Sequence, residues 1–117
     1  MHQPRYELGR KVKERGTYTG TLSVISKKKA GVQHLCLEDI RDINGNVVAD
    51  HLWFKLGKGF QAAGLLCKGD RIQLDGRVKT YQKGWLGAKT DYALFNPTKI
   101  KILHRANLVE IKVLEAV

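Results

Sequence analysis

The chain has 117 residues, 43% of them apolar, and a formal net charge of +10. That length suits one domain, and the apolar share is enough for a core, which excludes a globally disordered chain. No run of about 18 apolar residues and no hydrophobic signal region are present, so a soluble, cytoplasmic protein without a membrane partner is expected.

The charge is unevenly placed. Residues 1–30 carry eight Lys/Arg against two Glu, and residues 68–105 carry nine against three, a net +6 in each block. Residues 31–67 and 106–117 each net −1. Two basic blocks flanking a nearly neutral apolar middle favour a polyanionic partner, nucleic acid first. The two cysteines, Cys36 and Cys67, have no metal-ligand spacing, and reduced thiols are expected.

Residues 1–15 read as a basic N-terminal arm, extended or partly disordered, because Pro4 and Gly9 interrupt any helix. From Gly16 to Ser26 the β-branched residues alternate, giving a strand with Leu22 and Val24 inward and Thr19, Thr21 and Ser23 outward. Gly20 permits a bend there. Lys27, Lys28 and Lys29 then form a turn too densely charged to be buried. A second strand spans 32–40, with Leu35 and Leu37 inward. Asn44-Gly45 signals a type I′ hairpin. The third strand, 47–54, points Leu52 and Phe54 inward and His51 and Trp53 outward, although the size of Trp53 also suits a core. Phe60, Ala63, Leu66 and Cys67 recur at helical spacing, giving a short helix at about 57–67.

After the Gly69-Asp70 turn, Ile72, Leu74, Gly76 and Val78 share one phase of a fourth strand. Arg71, Gln73, Asp75, Arg77, Lys79 and Tyr81 occupy the other. A glycine-hinged loop follows, carrying Trp85 between Lys83 and Lys89. Asn96-Pro97 marks a turn or bulge before a last alternating run with Ile100 and Ile102 inward. Residues 106–117 form a C-terminal extension that suits either a strand or a short helix.

Five short strands bury one face and lose their edges only by curling into a barrel. The order of elements, the bent first strand, the Asn44-Gly45 hairpin and the helix before the fourth strand resemble an OB-fold. So does Lys68-Gly69-Asp70-Arg71-Ile72-Gln73-Leu74-Asp75-Gly76-Arg77-Val78, which is similar to the start of the fourth strand in many such domains. The resemblance implies an all-β, five-stranded Greek-key barrel over residues 16–105, with its short helix between strands three and four.

Nucleic-acid-binding OB-folds use the face of strands two and three between two flanking loops. Carried onto this chain, the resemblance implies a surface made of Lys27, Lys28, Lys29, His34, His51, Trp53, Lys83, Trp85 and Lys89, extended by Arg77, Lys79 and Tyr81. The expected activity is binding of single-stranded DNA, or RNA, by base stacking and phosphate neutralisation with slight sequence preference. Catalysis is not expected, because no nucleophile motif and no metal spacing among His2, His34, His51 and His104 are present. No cofactor is implied. The rival readings are a protein-interaction module, with an exposed patch of Tyr92, Leu94 and Phe95, and a binder of structured RNA.

Overall fold

The computed structural model describes residues 8–27, 30–83 and 89–104, with the side chains of residues 83, 89 and 90 outside that description. The described residues form five strands, β1 (Arg15–Ile25), β2 (His34–Arg41), β3 (Val47–Lys55), β4 (Arg71–Lys83) and β5 (Lys89–His104), with a short helix, α1 (Lys58–Ala62), between β3 and β4. All pairings are antiparallel and the order is β3-β2-β1-β4-β5, so the fourth strand returns beside the first. Among the described residues, hydrogen bonding leaves β3 and β5 as two edges and does not close the sheet into the barrel expected from the sequence. Among the described residues no helix is long and apolar enough to cross a membrane.

The alternating phases fix which face is buried. Leu35 and Leu37 of β2, Leu52 and Phe54 of β3, and Ile72, Leu74 and Val78 of β4 all lie in the core. Trp53 is outward, with 49% of its surface exposed. The first strand departs from expectation. Tyr18 and Leu22 are buried, but Val24 is 47% exposed, because the register slips between Leu22 and Val24. An extra residue in one strand exchanges the faces of everything beyond it.

At Gly20, β1 lies close against Leu37 and Ile40 of β2. A Cβ there would lie 2.8 Å from Ile40 Cδ1 and 2.9 Å from Leu37 Cβ, whereas one at Gly76 would lie 3.1 Å from Leu94 Cβ. Gly20→Ala is expected to lower stability by about 1–3 kcal/mol through overpacking. Gly76→Ala should cost less, and urea melts of the two variants side by side check the ranking.

The hairpin turn is not the expected type I′. Only Gly45 takes positive φ (85°) in the loop, the Gly45 N–H donates to the Asp42 carbonyl (3.0 Å), and the Asp42 N–H to the Asn46 carbonyl (3.0 Å). This is a three-residue loop with glycine in the left-handed position. The Asp42 carboxylate accepts from the Asn44 and Asn46 N–H groups, and so stabilises the turn.

The helix is shorter than expected. It has no side-chain cap, and five residues are too few to be stable alone. Its one buried residue, Phe60, packs against Phe54 with ring centroids 5.7 Å apart, while Leu65 stays 76% exposed. Gly64, at φ 109°, turns the chain away directly after it.

Residues 8–14, expected as part of an extended arm, instead dock on the sheet. Leu8 is fully buried, the Lys13 N–H donates to the Val78 carbonyl (2.8 Å), and the Val78 N–H to the Glu14 carbonyl (2.9 Å). A single apolar residue that reaches the core outweighs the charge density around it. The remainder of the arm, 1–7, and the C-terminal extension, 106–117, lie outside the described residues.

Tyr18 links this region to solvent pH. Burial, then the Asp42 and Glu14 carboxylates, hold its phenol above the ordinary value of 10.0. The folded form therefore keeps a proton that the unfolded chain releases, so the stabilisation is complete below about pH 10 and is lost as pH rises further. Melting temperature should fall more steeply as pH rises above about 10 in the native protein than in Tyr18→Phe.

Candidate nucleic-acid interface

Cross-strand register brings the outward residues together. Val24 pairs with Cys36, and Cys36 with Trp53, making one row across β1, β2 and β3. Trp53 and Val24 are half-exposed, and Cys36 between them is buried at 5% exposure with a free thiol. On the other side, Arg77 pairs with Phe95, Lys79 with Ala93 and Tyr81 with Asp91. Paired residues share a face, so these six occupy the outward side of the β4–β5 hairpin.

The two outward surfaces meet in a cleft of about 370 Å³, lined by Leu52 and Trp53 of β3, Tyr81 of β4, and Ala93 and Phe95 of β5. Both sheet edges contribute to it. Phe95 is 37% exposed, and Lys79 Nζ stands 5.7 Å from its ring centroid, a cation–π contact at the margin. The cleft thus offers aromatic faces beside a positive charge.

Phe95 reaches this position because β5 bulges just beyond it. Asn96 takes φ 53°, and the register slips between the Asp75–Thr98 and Arg77–Phe95 pairs. The turn or bulge expected at Asn96-Pro97 is this bulge, inside one long strand. Arg15 pins it by donating to the Asn96 carbonyl (2.8 Å) and to Thr98 Oγ1.

The other expected site residues are distributed less evenly. Lys27 is exposed just beyond β1, where the Ser26 N–H donates to the His34 carbonyl (2.8 Å) and His34 faces Lys55. These three basic residues mark one end of the sheet. His51 pairs with Glu38 and lines a separate hollow with Asp39 and Asp50, an acidic neighbourhood that disfavours phosphate. Arg77 donates to the Lys13 carbonyl at 2.7 Å, so part of its guanidinium anchors the N-terminal turn. Lys28, Lys29 and Trp85, with the side chains of Lys83 and Lys89, lie outside the described residues.

Arg71 is occupied elsewhere. It donates to Thr21 Oγ1 (2.8 Å) and Thr19 Oγ1 (2.7 Å), and lies 3.4 Å from Asp39. Arg41 also donates to both Asp39 carboxylate oxygens, and this bond chiefly holds the Asp39 carboxyl below its usual range. The cluster ties β1, β2 and β4 together on the outer surface.

The sequence reading missed Phe95 as part of this surface. Its signal was present: Ala93 and Phe95 alternate with Tyr92 and Leu94 along the last strand. The patch of Tyr92, Leu94 and Phe95 expected for a protein-interaction module does not form, because Leu94 is buried at 5% exposure and Tyr92 faces Gly9. Compared with models of protein families, with curated proteins and with solved structures, the chain matches none significantly.

Proposed function

We propose that this protein is an OB-fold binding module for single-stranded nucleic acid, most naturally DNA, and not an enzyme. The strand order supports the fold, because three successive strands followed by a fourth beside the first is a Greek-key order. The cleft shared by β3 and β5 supports a sheet curled toward a barrel, with its seam at the two edges.

The observation that carries the function is the meeting of Trp53, Tyr81 and Phe95 around one cleft beside Lys79, on a chain of net charge +10. Stacking on aromatics contributes about 1–3 kcal/mol per base and accepts any base, while cations supply a salt-dependent phosphate term. In this reading the strand crosses from the Lys27 end, along Val24, Cys36 and Trp53, to the β4–β5 hairpin.

Binding of a labelled single strand across a salt series tests this reading. Single strands should bind more tightly than duplex of equal charge, and some affinity should persist at near-physiological salt. Replacing Lys27, Lys28 and Lys29 with alanine should flatten the log–log salt slope by about 0.7 for each phosphate that is no longer neutralised. An unchanged slope would remove that loop from the surface, and equal affinity for duplex would remove the stacking site.

A further inference from the structure

The cleft has features that a flat stacking surface does not need. It has a floor, since Leu52 beneath it is only 1% exposed. It also has walls from opposite edges of the sheet, Trp53 from β3 against Ala93 and Phe95 from β5. No ring contact between Trp53 and Phe95 is present among the described residues, so the two rings do not close on each other. Ala93 is the smallest of the lining side chains and takes up the least of the cleft. Finally, in the sheet formed by the described residues β3 and β5 are the outermost strands, and alternate residues of such an edge direct N–H and C=O groups away from the sheet.

We propose that this cleft is a slot for one unstacked nucleobase, inserted between Trp53 and Phe95 with its polar rim toward the free edges of β3 and β5. The inference rests on the single-strand reading above and sharpens it. The bound strand has a fixed point at which one nucleotide is inserted, while its neighbours lie across the surface. Lys79, at the margin beside Phe95, is placed to meet the phosphate of the inserted nucleotide. Apolar walls take up the base faces, and the unpaired backbone groups offer hydrogen bonds to its rim.

Three oligonucleotides of equal length and charge test this: all thymidine, fully abasic, and abasic except for one central thymidine. A length of about 12 nucleotides falls within the range of one OB domain. The single base should recover most of the affinity of the all-thymidine strand, with the fully abasic strand about fivefold or more weaker. Ala93→Leu, which fills the cleft while leaving Trp53 and Phe95 in place, should abolish the single-base advantage. Its melting temperature, measured alongside, confirms that it folds.

If one base confers no advantage while the all-thymidine strand binds tightly, the slot is wrong and surface stacking stands. If the advantage survives Ala93→Leu in a folded protein, the base sits elsewhere and the slot is again wrong. If none of the three strands binds, the single-strand reading itself fails.

Discussion

Phe60→Ala is expected to lower the unfolding free energy by about 3–5 kcal/mol. Phe60 is 1% exposed and is the one buried residue of α1. The helix lacks a side-chain cap, and a segment this short has no stability of its own. Its position therefore depends on one ring held against Phe54. Truncation would remove that ring, leave a cavity and release the helix that lies against β5, where Gly59 approaches Ile100. With a domain stability of about 5–15 kcal/mol, such a loss is a large share of the total. Urea denaturation should show a lower midpoint. A loss under about 1 kcal/mol would mean that the helix is held by other side chains.

Trp53→Ala should have the opposite profile, with a small effect on stability and a large one on binding. Half of the indole is exposed, and its row neighbour Cys36 is itself covered, so little core is lost. Affinity for single strands should fall by about 1–3 kcal/mol, roughly 5- to 150-fold. The loss should persist across salt concentrations, because stacking involves no counterion release. Trp53→Phe should retain part of the affinity, since a ring remains. Unchanged affinity in the alanine variant, with the fold intact, would place the bases away from β3.

Much of this architecture was legible in residue patterns. Ile72, Leu74 and Val78 announce β4 by strict alternation, and the same rule places Trp53 outward despite its size. What the patterns did not reveal is set by pairing partners. The slip at Val24 and the positive φ of Asp39 (52°) arise where one strand accommodates an extra residue against its neighbour, whereas the bulge at Asn96 was signalled by Asn96-Pro97. Such bulges change which face a side chain occupies without changing local composition. The cleft was illegible for a related reason. Trp53 and Phe95 are far apart in the chain, and only the tertiary fold brings them to one hollow. The role of Leu8 was hidden by the charges around it, because one buried residue produces no periodic signal.

Tryptophan fluorescence during titration with a single-stranded oligonucleotide, at low and near-physiological salt, tests the central claim most directly. Trp53 and Trp85 are the only two tryptophans, so a parallel titration of Trp53→Phe isolates the first. Quenching should persist at the higher salt and be diminished in Trp53→Phe. Binding without quenching, lost as salt rises, would contradict that claim and reduce the interaction to charge attraction alone.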